Sequence, residues 1–457
     1  MTVVVGAGVG GLCAALALRR AGRQVTVFEA RPTPGGLAGS FEAGGRLHDG
    51  GPYILLDAPG LRWAMGELGL RLDDEVELIR LEEPYQVERA DGSVVRVFHD
   101  LDRTADGIDA DHRGAGARYR AFVHEMRARY TRLAPLQRSA FGGPSGLLGG
   151  GRWRDTAFLL RSLGDVLTRA GLPDPVRDAV GIWTHIAAQP LDRAPAPLAL
   201  VPAVVHSEGA FTVRGGLGRL IDALVRAAER AGVQLVYDSP VTRIVRDGRR
   251  VLGVETGGRR VGADLVVSDA PGITTLARLV DPPDAVLAQA LEELPLQSPG
   301  VAAYLHADVG PEVPFLRFRL DGGGCRGLLS PGAVDPERRG TARLLAPVAH
   351  DWAQRVGPEG QRTHLDALLA EPWWQTGLDR IEVVARRIPV EWGRAFHLWR
   401  DSMNPAMTAA FMRRGRLPHR APIADNLWLC GSSTHPGQWV SFCAISGVLA
   451  ARAATAR

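Results

Sequence analysis

The sequence predicts an α/β protein in which a discontinuous Rossmann-type domain carries an inserted domain of mixed α+β structure. Three separate stretches support this fold, because each combines short strands rich in β-branched residues with glycine turns and a helix. They are Thr2–Glu29, Phe211–Ser268 and Asn426–Ala454. The three stretches lie far apart in the sequence, and we expect them to come together as one domain in the folded protein.

The segments between these stretches have a different character. The first is helix-rich, with amphipathic patterns that predict helices over Gly116–Leu133 and Ala157–Ala170, and the second mixes strands with short helices. This interleaving indicates an insertion and not a row of separate domains. The predicted cofactor domain comprises residues 1–60, 211–271 and 421–457, and the predicted substrate domain comprises residues 61–210 and 272–420.

In sequence order, the first stretch predicts a strand at Thr2–Val5, a glycine turn, a helix over Leu12–Ala21 and a strand at Gln24–Glu29. The second predicts a helix over Leu217–Ala231 and then further strands, and the third predicts a strand before a helix that begins at Val440. This alternation of strands and helices is typical of a parallel sheet.

Composition restricts the classes of function. Of 457 residues, 46% are hydrophobic and 23% are charged, which is ordinary globular composition. The net charge of +4 is small for this length, so nucleic-acid binding is not indicated. The chain contains no Lys, which excludes a lysine nucleophile or Schiff base. Its four cysteines are scattered without metal-ligand spacing, and we expect no metal site and a cytoplasmic protein.

The motif Gly6-Ala7-Gly8-Val9-Gly10-Gly11 has the spacing G-x-G-x-x-G between a predicted strand and a predicted helix. In this context Gly6 permits the turn, Gly8 lets a pyrophosphate approach backbone amides, and Gly11 allows the helix to pack closely. Glu29 ends the second strand, where a carboxylate accepts hydrogen bonds from a ribose. Together these residues predict a dinucleotide site, and the alternative is a glycine-rich turn beside a surface glutamate.

Two further glycine pairs follow within the next segment, Gly35-Gly36 and Gly50-Gly51. Only glycine avoids placing a Cβ atom where backbone approaches a ligand closely. Either pair alone is consistent with an ordinary loop, but both together favour a large ligand in contact with the backbone.

These motifs resemble those of the phytoene desaturase and carotenoid isomerase group within the amine-oxidase-like flavoproteins. The resemblance rests on the extended N-terminal fingerprint, on His48-Asp49-Gly50-Gly51-Pro52-Tyr53-Ile54, on Phe211–Leu217 and on Asn426–Gly437. It follows the family's order along the chain, although the substrate segments match only diffusely. One departure is Gln438-Trp439, where the family commonly has small residues, so that we expect Trp439 to narrow the cavity beside the flavin.

The resemblance implies FAD as the cofactor. The residues that it implies as FAD-binding are Gly6, Gly8, Val9, Gly10, Gly11, Glu29, Ala30, Arg31, Gly35, Gly36, Leu37 and Ala38 for the ADP half, with Val241 near the adenine, and Gly50, Gly51, Pro52, Tyr53, Gly216, Gly431, Ser432, Pro436, Gly437 and Val440 around the pyrophosphate, ribityl chain and flavin ring.

A desaturase of this kind needs a flavin, an apolar tunnel and few catalytic side chains. The catalytic candidates are His48, Tyr53, His435 and Trp439, and Asp49, His185 and His206 are further candidates for proton transfer. For each histidine the competing interpretation is a buried structural residue that is already hydrogen-bonded. We therefore expect FAD-dependent oxidation of an apolar polyene or isoprenoid substrate.

Three other functions stay open at this point. They are a redox-neutral flavin-dependent polyene cis-trans isomerase of secondary metabolism, a non-catalytic prenyl or lipid carrier, and an NAD-dependent dehydrogenase, which leaves the C-terminal motif unexplained. The arginines Arg127, Arg129, Arg132 and Arg138 on one predicted helix could also rest on an anionic inner membrane surface, against the alternative of a solvated helix face.

Overall fold

A computed structural model describes residues 1–139 and 152–456 of the chain. Residues 140–151 of the predicted substrate domain and residue 457 lie outside the described residues. The strands are β1 Thr2–Val5, β2 Val25–Phe28, β3 Ser40–Ala43, β4 Arg46–Asp49, β5 Leu78–Arg80, β6 Tyr85–Arg89, β7 Val94–Val97, β8 Phe211–Val213, β9 Gln234–Val236, β10 Val241–Asp247, β11 Arg250–Thr256, β12 Arg259–Gly262, β13 Leu265–Ser268, β14 Val280–Asp281, β15 Gly300–Val309, β16 Leu316–Asp321, β17 Gly324–Leu329, β18 Thr341–Pro347, β19 Leu378–Arg387 and β20 Leu427–Leu429.

The helices are α1 Val9–Arg20, α2 Ala58–Glu67, α3 Leu72–Glu75, α4 Leu101–Asp111, α5 Ala115–Gln137, α6 Thr156–Leu159, α7 Leu163–Arg169, α8 Asp174–Val180, α9 Ile182–His185, α10 Val201–Ser207, α11 Gly218–Arg230, α12 Ala285–Glu292, α13 His350–Ala370 with a kink at Gly357, α14 Pro389–Ala395, α15 Ala409–Arg414 and α16 Val440–Thr455.

The first sheet is parallel, with the strand order β20-β13-β1-β2-β9. Its central strand β1 is buried along its whole length, as expected for a parallel sheet that is covered on both faces. Strands from all three predicted stretches therefore meet in one sheet, and the predicted discontinuous Rossmann-type fold is confirmed.

The two ends of the chain pack together above this sheet. Helix α16 lies against α1 so closely that a Cβ atom on Gly447 would overlap the carbonyl oxygen of Gly10. Small residues at this crossing let the two backbones approach. The packing sets the position of the loop that precedes α16 relative to the glycine turn that precedes α1.

The second large sheet has the strand order β19-β15-β18-β17-β16-β6-β7. Helix α5 covers one end of this sheet with a stripe of buried side chains at helical spacing, among them Tyr119, Phe122 and Met126. Helix α13 packs on the neighbouring part, where Leu365 and Leu368 join the core of β15 and β18. A four-stranded sheet, β12-β11-β10-β14, packs separately on the parallel sheet.

The helices predicted over Gly116–Leu133 and Leu217–Ala231 correspond to α5 and α11. The single helix predicted over Ala157–Ala170 is wrong, because the structure has α6 and α7 with a break between them. Ser162 ends the break by accepting a hydrogen bond from the backbone N–H of Asp165 at 3.1 Å, which caps α7.

Packing does not stop at the predicted domain boundary at residue 60. Leu61 and Met65 of α2 are buried in the same core as α1 and α16. On α5, Arg129 and Arg132 both bind the buried carboxylate of Asp155, at 2.6 and 2.8 Å. Those two guanidinium groups are therefore engaged inside the protein.

Within residues 1–139 and 152–456, no helix combines the length and apolar character that crossing a bilayer requires. The four cysteines are free thiols. In the same described part of the chain, no group of three or more His, Cys, Asp or Glu side chains could hold a metal ion.

Candidate functional site

A cavity of about 860 Å³ extends from the carboxyl ends of the parallel strands into the substrate domain. Its wall includes the glycine turn after β1 and residues that follow β2 and β13. Ligands of open α/β folds bind at this edge of the sheet. The far part of the wall comes from α9, α10 and the segments before and after α15.

The glycine turn brings backbone to the cavity surface at the N-terminus of α1. Gly6, Gly8 and Gly10 line the cavity, and Gly8, at the N-cap position of α1, has no side chain that could block the helix N-terminus. A Cβ atom on Gly10 would lie 2.8 Å from Gly431, so this position tolerates only glycine. The N-terminal N–H groups of the helix can therefore bind an anionic group such as a diphosphate.

Glu29 stabilises the turn and also borders the cavity. Its carboxylate accepts hydrogen bonds from the backbone N–H groups of Ala7 at 2.7 Å and Arg31 at 3.0 Å. Arg31 donates to the carbonyl oxygen of Gly36 at 3.3 Å, and its guanidinium lies 4.3 Å from the centre of the Phe396 ring. These contacts hold the segment after β2 in the shape that the cavity requires.

Asp269 lies inside the ring of glycines, which the sequence analysis did not predict. It follows β13 and lines the cavity, and a Cβ atom on Gly8 or Gly431 would overlap its carboxyl group. Burial raises the pKa of Asp269 to about 7, although hydrogen bonds from the Gly11 and Gly8 backbone partly oppose this shift. The group is therefore a carboxyl that changes charge near neutral pH at the N-terminus of α1.

Most of the residues predicted to bind the cofactor line this cavity. They are Gly6, Gly8, Val9, Gly10, Glu29, Ala30, Arg31, Gly35, Gly36, Leu37, Ala38, Gly50, Gly51, Pro52, Tyr53, Val241, Ser432, Pro436 and Val440.

Gly11, Gly216, Gly431 and Gly437 are not among the lining residues. Gly11 packs α1 against the turn, and Gly431 packs against Gly10. Gly216, at φ +100, leaves room for the ion pair between Arg338 and Asp49. These four glycines shape the wall and do not themselves face the cavity.

The Gly50-Gly51 wall is held from behind by the substrate domain. The hydroxyl of Tyr304 donates to the Gly50 carbonyl oxygen at 3.0 Å, and Arg343 donates to the carbonyl oxygens of Asp49 and Gly50. The Asp49 carboxylate forms a buried ion pair with Arg338 at 2.9 Å. Polar groups of two domains thus fix one short stretch of backbone.

The far part of the cavity is mainly apolar. Trp183 and Ile186 lie near one side, and Trp439, stacked on Phe442 at 4.7 Å between ring centres, lies on another. Aromatic and aliphatic walls of this kind fit an extended apolar ligand. The site therefore joins a dinucleotide-binding end to an apolar chamber.

The four catalytic candidates occupy different places. Tyr53 and Trp439 line the cavity, whereas His48 and His435 do not. Burial raises the pKa of Tyr53 to about 12, so its hydroxyl stays protonated at neutral pH. Arg343 lies 4.8 Å from the centre of the Tyr53 ring.

His48 lies behind the wall, with its ring stacked on His306 at 5.6 Å between ring centres. Burial, followed by the charge of Arg338, lowers the pKa of His48 to about 4. His48 borders Tyr304 and not the cavity, so any effect on a ligand has to pass through Tyr304. Burial also lowers the pKa of His435 to about 4, and its Nε2 lies 2.8 Å from the Leu136 carbonyl oxygen.

The further candidates for proton transfer also lie away from the cavity wall. His206 contacts the Tyr119 hydroxyl at 2.9 Å, and His185 contacts Asp178 at 3.1 Å. Both contacts agree with the alternative interpretation, in which these histidines are structural residues that are already hydrogen-bonded. Asp49 is held in the ion pair with Arg338.

Asp269, Tyr304, Arg343 and Arg416 line the cavity but were not predicted as site residues. Asp269 had a usable signal, since it directly follows a predicted strand of the parallel sheet and such positions border the ligand. The other three had none, because their strands and loops reach the site only through the packing of the substrate domain.

The lining residues fit FAD. The N-terminus of α1, which lies at the cavity surface, suits the diphosphate, and a carboxylate just after β2 suits the adenosine ribose. At Gly35-Gly36 and Gly50-Gly51 glycine backbone lines the cavity, and a Cβ atom at Gly50 or Gly51 would collide with the backbone of Gly39 or Leu37 that shapes the wall.

Comparison with known proteins agrees with this geometry. The family model for flavin containing amine oxidoreductase matches residues 9–455. The chain is 30% identical over 472 residues to a zeta-carotene-forming phytoene desaturase of Myxococcus xanthus, covering 95% of this chain and 90% of that protein. It is also 30% identical over 499 residues to a hydroxyneurosporene desaturase of Cereibacter sphaeroides, covering 99% and 96%.

The solved structure of a CLA-producing fatty acid isomerase from P. acnes superposes with a TM-score of 0.65, covering 99% of this chain and 98% of that one. At 16% identity this likeness shows the fold alone.

Proposed function

We propose that this protein desaturates an extended apolar polyene or isoprenoid substrate. The chain belongs to the flavin-containing amine oxidoreductase family and is an FAD-dependent oxidoreductase. The family match confirms the predicted enzyme class and the predicted FAD cofactor. The two carotenoid desaturases that the chain resembles in sequence support a substrate of this class.

The observation that carries the proposal is the continuity of the cavity. The same space that is lined by Gly8 and Gly51 is also lined by Trp183, Leu198 and Trp439. A long apolar chain placed in the chamber therefore extends toward the Gly50-Gly51 wall without crossing bulk water. A water-excluding chamber also protects reactive intermediates.

When bound, FAD supplies a two-electron acceptor for hydride. The chain contributes mainly binding and orientation. Apolar residues such as Trp183 and Trp439 exclude water from the chamber, and the backbone at Gly50 is fixed by Tyr304 and Arg343. Tyr53, which remains protonated at neutral pH, can donate a hydrogen bond but is a poor base.

The test is anaerobic mixing of the holoprotein with a panel of polyenes and saturated analogues of equal length. Bleaching of the oxidised flavin absorbance by a polyene that carries removable hydrogens, together with one new double bond in the product, is the expected result. Absence of flavin bleaching by every polyene that binds would contradict desaturation.

Redox-neutral polyene isomerisation is the other candidate on the same scaffold, because the apolar chamber suits both reactions. The mass of the product distinguishes the two reactions. Desaturation lowers the product mass by two hydrogens, whereas isomerisation leaves the mass and the flavin oxidation state unchanged. Turnover by the prereduced holoprotein with no change in product mass would favour isomerisation.

A further inference from the structure

Arg416 brings a positive charge to the wall of the apolar chamber. It lies just after α15 and lines the cavity. Its guanidinium donates to the Ser432 carbonyl oxygen at 3.1 Å and contacts the sulfur of Met407, and its Nε atom is buried without a hydrogen-bond partner. The guanidinium of Arg416 has five N–H donors, but its hydrogen-bond partners are one carbonyl oxygen and one weak acceptor.

Among the residues that the structure describes, no carboxylate forms an ion pair with Arg416. Other enclosed arginines are better satisfied. Arg338 pairs with Asp49, Arg326 pairs with Asp321 and Glu371, and Arg317 donates to three backbone carbonyls. Burial lowers the pKa of Arg416 to about 10, which leaves it charged at neutral pH. A buried cation without an anionic partner is costly.

The neighbours of Arg416 are apolar. Met407 contacts its guanidinium, and Phe442 and Cys443 lie close to it; all three also line the cavity. Burial raises the pKa of the Cys443 thiol well above its usual value, so this side chain supplies no anion at neutral pH. An anionic group of a ligand in the cavity would supply the partner that the described protein residues do not.

We propose that Arg416 binds an oxyanion at one end of the substrate, so that the substrate is an extended apolar chain ending in a carboxylate. This inference rests on the proposed function, since it assigns a polar terminus to the polyene. A guanidinium pairs with a carboxylate through two parallel hydrogen bonds, which orients the chain as well as holding it. The fixed end determines which carbon atoms reach the Gly50-Gly51 wall.

An anionic oxygen of the cofactor is the other source of the same chemistry. The diphosphate position is at the N-terminus of α1, where Gly8 and Gly10 line the cavity. Arg416 contacts Met407 and lies close to Phe442, and its hydrogen bond to Ser432 also ties it to the loop before α16. The contacts with Met407 and Phe442 favour the substrate as the source, and the FAD affinity of Arg416→Gln tests the cofactor as the source.

The test uses parinaric acid, a conjugated polyene acid that fluoresces in apolar surroundings, and its uncharged methyl ester. Both are titrated into the FAD-loaded holoprotein without turnover. The wild type should bind the acid about ten- to a hundredfold more tightly than the ester, the gain expected of a charge-assisted hydrogen bond. Arg416→Gln should abolish the preference, Arg416→Lys should keep part of it, and the exposed neighbour Arg414→Gln is the charge-matched control.

Equal affinity of the wild type for acid and ester overturns the proposal, and this comparison needs no variant to fold. An unchanged acid preference in Arg416→Gln also overturns it. If Arg416→Gln loses affinity for FAD and the wild type shows no preference for the acid over the ester, then Arg416 binds the cofactor and not the substrate. If the anaerobic panel shows no oxidation while the acid preference persists, the proposed reaction fails and the role of Arg416 stands.

Discussion

The hydroxyl of Tyr304, on strand β15 of the substrate-domain sheet, donates a 3.0 Å hydrogen bond to the carbonyl oxygen of Gly50 at the cofactor site. Tyr304→Phe removes this bond and leaves a buried carbonyl with only Arg343 as donor. We expect the free energy of unfolding to fall by about 1 kcal/mol. We also expect weaker FAD binding, measured by fluorescence titration of the apoprotein.

Tyr85→Phe is the matched control for Tyr304→Phe. The Tyr85 hydroxyl is also buried and also donates to a backbone carbonyl, that of Ala179 at 3.2 Å, but Tyr85 does not line the cavity. It should show a similar loss of stability with unchanged FAD affinity. Equal FAD affinities for both variants would show that Tyr304 does not position the Gly50 wall.

Gly51→Ala should prevent FAD retention. A Cβ atom at this position would overlap the carbonyl oxygen of Leu37, which is backbone and cannot move aside cheaply. The measurement is the ratio of flavin to protein absorbance after purification. Gly66→Ala is the control, because Gly66 is an exposed position of α2 where an added Cβ meets nothing within 4 Å, and the variant should keep full flavin content with up to about 1 kcal/mol of added stability.

Asp269 should make FAD affinity dependent on pH. Its raised pKa of about 7 means that the carboxyl is neutral below this value and anionic above it. An anion at the diphosphate position opposes binding, so the Kd for FAD should rise as pH rises from 6 to 9, by up to about tenfold per pH unit above 7. The thiols of Cys13, Cys430 and Cys443 beside it have raised pKa values and stay uncharged over this range.

Asp269→Asn should remove this pH dependence and bind FAD more tightly than wild type at pH 9. Asp264→Asn, which changes an exposed carboxylate just before β13, is the control and should behave as wild type. A wild-type Kd that stays constant between pH 6 and 9 would show that Asp269 does not change charge at the diphosphate position.

Trp439 should set the length of ligand that the chamber accepts. Its ring stacks on Phe442 and lines the cavity. Trp439→Ala enlarges the chamber, so kcat/KM for a longer polyene should rise relative to a shorter one. Trp153→Ala, at a tryptophan that is 59% exposed and outside the cavity wall, is the control and should leave the ratio unchanged. The same ratio in both variants would contradict this role for Trp439.

The dinucleotide end of the site was predictable because its signals are local. Gly6, Gly8 and Glu29 lie within one strand-turn-helix-strand unit, and their spacing alone specifies where each must lie. The break before α7 also had a local signal, since Ser162 and Asp165 form a capping pattern. The predicted helix over Ala157–Ala170 followed the apolar pattern and overlooked this cap.

The substrate end was not predictable in the same way. Arg343 and Tyr304 reach Gly50 from two neighbouring strands of a sheet whose strand order is not sequential. Arg416 borders the chamber only because the loop after α15 packs against the segment around Ser432. No periodicity marks such residues, because long-range packing and not local sequence determines where their side chains point.

The contact between Gly447 and Gly10 has a consequence for how the protein is made. On the ribosome, the turn before α1 emerges before β20 and α16. At about 5–20 residues per second, the first half of the cofactor site waits on the order of tens of seconds for the second half. The complete flavin site therefore forms only after α16 has been synthesised and has packed on α1.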